Sequence, residues 1–402
     1  MGIKQYHQDS HLDCSFQSNS THHQYQPNLL SLSSQPSLRS IPSFTSQPNH
    51  SQNPDLHYYC VTTLKGHTSY ISSLTVAGKL LYSGSSDKEI RSWRRNPSAE
   101  FESSSSSVVA IGEGAVKSLL VLADKLFSAH QDHKIRVWKL SIQEPDEQKC
   151  THLATLPTFG DRASKIILPK NQVKIRRHKT CTWVHHVDTV SALALSRDES
   201  LLYSVSWDRT LKVWRISDFK CMESVTNAHD DAINAVACSN DADVYTGSAD
   251  RKIKVWRRVG QKKHSLVATL EKNNSGINAL ALNKDGSVLY SGACDRSIVV
   301  WQKDDAGDMV AVGALRGHAR SILCLVVVSD FLCSGSADNT VRIWRGSRGN
   351  FSCVAVLEGH KGPIKCLTAT VDRCDQSNTS LVIYSGSLDC NIKVWQVSVP
   401  LP

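Results

Sequence analysis

The sequence predicts an all-β fold, a seven-bladed β-propeller, and three features of the chain predict it. The first is a phrase that recurs seven times. It ends at Trp93, Trp138, Trp214, Trp256, Trp301, Trp344 and Trp395, and six residues before each tryptophan stands Asp87, Asp132, Asp208, Asp250, Asp295, Asp338 or Asp389. Four residues before each aspartate stands a hydroxyl: Ser83, Ser128, Ser204, Thr246, Ser291, Ser334 and Ser385. The second feature is the texture within each phrase, short alternating runs punctuated by Gly, Asp and Asn, which suits strands and leaves no place for a long helix. The third is a likeness between the start of the repeats and an internal junction, since residues 59–67 parallel residues 352–360.

Taken in order, one unit yields four strands. In the fourth unit residues 232–238 are apolar, 243–248 lead into a turn at Asp250, 252–256 alternate, and 265–270 form an outer strand. Its run Ile253-Lys254-Val255-Trp256 recurs as Ile135-Arg136-Val137-Trp138 and as Ile392-Lys393-Val394-Trp395. The last unit supplies only three strands before the chain ends, so residues 57–65 are expected to complete the seventh blade. That arrangement closes the ring and removes its exposed edges.

Five units also carry a histidine four residues before a β-branched residue: His67, His186, His229, His318 and His360. The second and fifth units have Gly112 and Asn273 in that place. Over about residues 57 to 397 the chain resembles the WD40 repeat family, although none of the seven tryptophans is followed by Asp. The resemblance implies a hydrogen-bonded tetrad of His, Ser/Thr, Asp and Trp in each complete blade. Such a buried polar chain stabilises only when every member has a partner. The second and fifth blades are therefore expected to be looser.

Residues 1–56 are rich in Ser, Gln, Pro and His and poor in aliphatics, so they are expected to be disordered. Residues 398–402 form a short C-terminal tail. Between Trp138 and Trp214 the spacing stretches to 76 residues, against 42 to 51 elsewhere, which places an insert at about 157–183. From Asp161 to Thr180 it holds seven basic residues against one acid, within a chain of net charge +9. A concentrated basic patch suggests docking rather than a generally adhesive surface.

The insert phrase, with the Ser/Pro-rich residues 30–44 and the sequence Gly317-His318-Ala319-Arg320, resembles plant WD40 proteins of the JINGUBANG type. That resemblance implies a non-enzymatic regulator shared between cytoplasm and nucleus, binding a transcription factor, with a role in pollen germination.

The residues beside the turn aspartates should share a face with the insert. After them come Lys88, His133, Arg209, Arg251 and Arg296, a basic arc; before them, among small, polar and aliphatic residues, stands one tryptophan, Trp207. Trp beside Arg on a turn is the composition of an interface hot spot. One reading makes Trp207 and Arg209 anchors, with Arg251 nearby and Lys174, Arg176, Arg177 and Lys179 steering an acidic partner. The other has Trp207 pack on Trp183 and pin the insert. The same basic run could serve nucleic-acid phosphates, though it lacks interleaved aromatics, or nuclear import.

Catalysis is not expected. The chain has no G-x-S-x-G elbow, no P-loop and no H-E-x-x-H. Gly112-Glu113-Gly114 does not extend into a dinucleotide fingerprint, and seven copies of Ser, His and Asp argue for architecture. No cofactor or metal site is expected, because the 13 cysteines include no C-x-x-C pair and several sit in apolar runs. No apolar run approaches membrane-spanning length, the polar N-terminus argues against a secretory signal, and Tyr6 occupies the place where a Met-Gly myristoylation signal wants Ser or Thr. Without heptads, residues 1–56 do not supply the coiled-coil helix of a G-protein β-subunit. A ubiquitin-ligase substrate receptor stays open, but Trp207-Asp208-Arg209 lies at a turn, with Thr210 where such receptors carry Arg.

Overall fold

The computed structural model describes residues 42–45, 57–95, 106–141, 150–166, 172–176, 179–258, 260, 263–347, 350–375 and 378–400. Seven antiparallel four-stranded sheets follow one another along the chain. The fourth is typical, with strands Ile233–Cys238, Asp243–Ser248, Ile253–Arg258 and His264–Leu270 from the inside outwards. In the seventh, Ile364–Asp375, Asn378–Ser387 and Ile392–Pro400 are completed by His57–Leu64, which pairs antiparallel with the third strand. The ring thus closes with the expected strand. The third strand runs on to Pro400, past the expected boundary at 397.

The core lies between blades. Tyr203, Val205, Leu211 and Val213 of the third blade meet Ile233, Val244 and Trp256 of the fourth, all buried. At about 1.5–3 kcal/mol per buried aliphatic side chain, each such seam outweighs any single polar link. In five of the seven seams the β-branched residue that opens the inner strand enters a notch left by a glycine of the preceding blade. A Cβ at Gly84 would meet Val116 Cγ1 at 2.4 Å, and one at Gly386 would meet Ile71 Cγ2 at 2.7 Å.

The next residues of the inner strands link blade to blade. Ser72 Oγ donates to the Val116 carbonyl, Ser191 Oγ to Ile233, Asn234 Nδ2 to Ile277 and Asn278 Nδ2 to Ile322. Ser118 Oγ accepts from the Leu193 amide at 3.3 Å. From within the inner strands of the sixth and seventh blades, thiols reach to the next blade, Cys324 to the Ile364 carbonyl at 3.6 Å and Cys366 to that of Ile71 at 3.7 Å. The ten cysteines whose side chains are described are free thiols. Burial pushes Cys238, Cys324 and Cys333 up to about 12, which makes them inert packing groups.

Five blades hold the complete tetrad. In the first, Trp93 Nε1 donates to Ser83 Oγ at 2.7 Å, Ser83 donates to His67 Nε2 at 2.8 Å, and His67 Nδ1 donates to Asp87 at 2.8 Å. The same relay joins Trp214, Ser204, His186 and Asp208, then Trp256, Thr246, His229 and Asp250. It recurs in Trp344, Ser334, His318 and Asp338 and in Trp395, Ser385, His360 and Asp389. Each aspartate also accepts from the backbone amide after its histidine. Burial pushes these carboxyls up, but the histidine and amide donors outweigh it and hold all five below the usual range.

The second blade departs from the expectation of an incomplete relay. His130, two residues after Ser128, turns its ring into the space above Gly112; a Cβ on Gly112 would lie 2.5 Å from it. Its Nε2 accepts from Ser128 at 2.8 Å, and its Nδ1 donates to the Gly114 carbonyl at 2.9 Å. Burial lowers His130 to about 4, so the ring stays neutral. The fifth blade does fall short. Asn273 Oδ1 accepts from Ser291 at 3.0 Å, but its buried Nδ2 has no partner among the described residues.

Two segments differ from the sequence expectation. Within the leader expected to be disordered, Ser43–Thr45 pairs parallel with the outer strand Met309–Arg316 of the fifth blade. Within the insert, Phe159–Ile166 is a helix and Gln172–Arg176 pairs with Lys179–Thr182 as a hairpin. Thr158 Oγ1 accepts from the Asp161 amide at the helix N-terminus, and Asp161, buried, accepts from the Cys221 amide at 2.7 Å. The helix is thereby pinned to the outer strand of the third blade.

Candidate partner-binding site

In all seven units the turn aspartate accepts, through Oδ1, the amide of the residue two places on, at 2.9 to 3.3 Å. That Asx turn drives the intervening residue left-handed, with φ of 74° at Lys88, 67° at His133, 66° at Arg209, 71° at Arg251 and 73° at Arg296. These five side chains are exposed, and none makes a hydrogen bond or ion pair among the described residues. The arc predicted from sequence is therefore a row of uncommitted basic groups.

A serine two residues before the aspartate, unnoticed in the sequence, braces the turn in five blades. Ser206 Oγ, for instance, accepts from the Asp208 amide and donates to the Asp188 carbonyl. The residue just before each aspartate donates its amide to the carbonyl of the residue preceding the inner strand, as Trp207 does to Thr189 at 3.1 Å and Ser86 to Tyr70 at 3.1 Å. Trp207 therefore stands on the inner side of the turn face, 42% exposed.

Lys117 lies between two rings, its Nζ 5.8 Å from the centre of Trp207 and 5.6 Å from that of Tyr70. It also donates to Tyr70 Oη at 3.1 Å. Burial pushes the Tyr70 phenol up, yet the Ser86 hydrogen bond and the Lys117 and Lys365 ammonium groups leave it below its ordinary value. Tyr70, Lys117 and Lys365 belong to three blades and escaped the sequence reading. Lys117 and Lys365 directly follow the β-branched residue opening their inner strands, where Ser72 and Ser191 make cross-blade links, and that contrast was the available signal.

Strand register puts the two ends of the insert on this face. The end of the second blade's outer strand pairs with the start of its third (Leu156 with Ile135), and the third blade's inner strand begins opposite the turn (Val190 with Ser206). Trp183 packs against the core shared by these blades, and its carbonyl accepts from buried Lys212 at 2.6 Å. Lys174, Arg176 and Lys179 lie on the hairpin strands, and Lys179 pairs with Arg176. Their side chains, and Arg177 altogether, fall outside the described residues.

His67, Asp87 and Glu89 converge closely enough to suggest a cation site. Both ring nitrogens of His67 are already committed, to Asp87 and Ser83, so no lone pair remains for a metal.

A family model described as "WD domain, G-beta repeat" matches residues 58–94, 177–215, 219–257, 264–302, 309–345 and 351–396, more than half of the chain. The chain belongs to the WD40 family. The WD40 model passes over residues 95–176, which hold the second blade, where Gly112 replaces the usual histidine. The human kinesin-like protein KIF21B is 22% identical over 347 residues, covering 84% of this chain and 19% of the kinesin. Autophagy-related protein 16 of Arabidopsis thaliana is 27% identical over 193 residues, 46% of this chain and 36% of that protein. This WD40 chain thus spans about a fifth to a third of those relatives. Among solved structures, the WD40 β-propeller domain of Doa1 superposes with a TM-score of 0.62 at 22% identity, covering 84% of this chain and 96% of that one. That likeness concerns the fold.

Proposed function

We propose that this protein is a non-enzymatic interaction scaffold that docks an acidic segment of a partner protein on the turn face. Trp207 and Arg209 are the anchors, Arg251 extends the site along the arc, and Lys174, Arg176, Arg177 and Lys179 of the insert steer the partner in. The observation that carries this reading is an exposed tryptophan, flanked by Lys117, within a row of five uncommitted basic side chains. An aromatic anchor supplies contact area, and unpaired cations supply attraction and orientation. The resemblance to JINGUBANG-type proteins supports a finer reading: a plant regulator shared between cytoplasm and nucleus, binding a transcription factor and restraining pollen germination.

Affinity purification of the full chain followed by mass spectrometry tests the proposal. The expected outcome is a partner with an acidic segment, retained by wild type at low salt and lost from an Arg209→Glu/Arg251→Glu variant. Stoichiometric recovery of a ubiquitin-ligase adaptor, or a partner indifferent to both substitutions, would contradict it.

A further inference from the structure

The seam between the outer strands of the fifth and sixth blades is filled by the chain's own leader. Ser43, Phe44 and Thr45 run parallel to Ala314, Leu315 and Arg316, and the Ala314 amide donates to the Pro42 carbonyl at 3.0 Å. Phe44 packs against the core of the two blades, its ring 5.8 Å from that of Phe351, which in turn meets Tyr290 edge-on at 6.2 Å. Beneath it lies Gly313, where an added Cβ would fall 1.8 Å from Phe44 Cε2.

Register shows that this glycine is special to the seam. Opposite the residue preceding the repeat tryptophan, the outer strands carry Ser107, Ala154, Glu223, Ala268, Ala355 and Thr62 in the other blades, and Gly313 in the fifth. The one of these seven positions without a Cβ lies under the inserted ring of Phe44. Three paired residues make a weak strand alone; the tether compensates by holding the segment at an effective concentration of ~1 mM.

We infer that this seam is a second recognition site, distinct from the turn face, for an extended segment bearing an aromatic residue. Residues 42–45 are its resident occupant, and a partner segment of the same chemistry takes the site by displacing them. The site combines strand addition to an exposed edge with one aromatic pocket, so Phe44 supplies the specificity and the backbone the direction.

The test uses a fluorescent peptide of residues 39–48 and the full-length chain, read by fluorescence polarisation. The Phe44→Ala protein has an empty pocket and should bind the peptide. For a peptide affinity of ~100 µM, wild type should bind about tenfold more weakly, because its own leader competes at ~1 mM. A peptide carrying Ala at the Phe44 position should not bind either protein, a control that leaves the propeller untouched. Equal binding to wild type and Phe44→Ala, or none to Phe44→Ala, would overturn the inference. Neither result bears on the turn face, which the Arg209→Glu/Arg251→Glu experiment probes separately.

Discussion

Gly112 and Asn273 occupy the same place in the repeat, yet their surroundings give them opposite requirements. Gly112 leaves room for the His130 ring, which rebuilds the relay from another position. Asn273 reaches Ser291 but leaves a buried amide nitrogen without a partner, while Ser291 and Trp301 remain in the usual geometry. The same substitution should therefore act with opposite sign. Asn273→His is expected to stabilise the protein by about 1–2 kcal/mol, and Gly112→His to destabilise it by about 2–3 kcal/mol, in urea unfolding. Unchanged midpoints for both would show that the relay carries no net stability. The five complete relays were legible in the sequence because their members keep fixed spacing. His130 was not, because a histidine that substitutes from a different position breaks the spacing that identifies it.

At the scale of the element, ring closure depends on His57–Leu64, paired with Ile392–Pro400 and held at its side by Lys393 Nζ, which donates to Thr63 at 3.0 Å. The inner-strand links flanking this blade are the two made by thiols, which are weak donors. Deleting residues 57–64 should thus lower the midpoint of the whole propeller in a single transition, seen by circular dichroism. A separate early phase, with the other blades melting at the wild-type temperature, would show that the seventh blade merely frays. This strand was legible because residues 59–67 repeat residues 352–360. The helix Phe159–Ile166 was not, since eight residues leading into a basic run give too short a pattern, and the three-residue strand at Phe44 has no periodicity to find.

For the whole molecule, a ring whose cores lie between neighbouring blades holds its turns in place, and the side chains on those turns distinguish one propeller from another. The basic arc could be read from sequence because the turn is fixed by one aspartate per unit. The Tyr70–Lys117–Trp207 stack could not, since it joins three blades that only ring geometry brings together. The most direct test of docking on the turn face is a pair of curves for full-length Trp207→Ala, thermal unfolding and affinity for the partner that wild type retains. If Trp207 is an anchor, the melting midpoint stays within about 2 °C of wild type and affinity weakens by about 30-fold, the effect of removing an interface anchor. Undiminished affinity, or a loss that merely follows a fall in melting temperature, would contradict it.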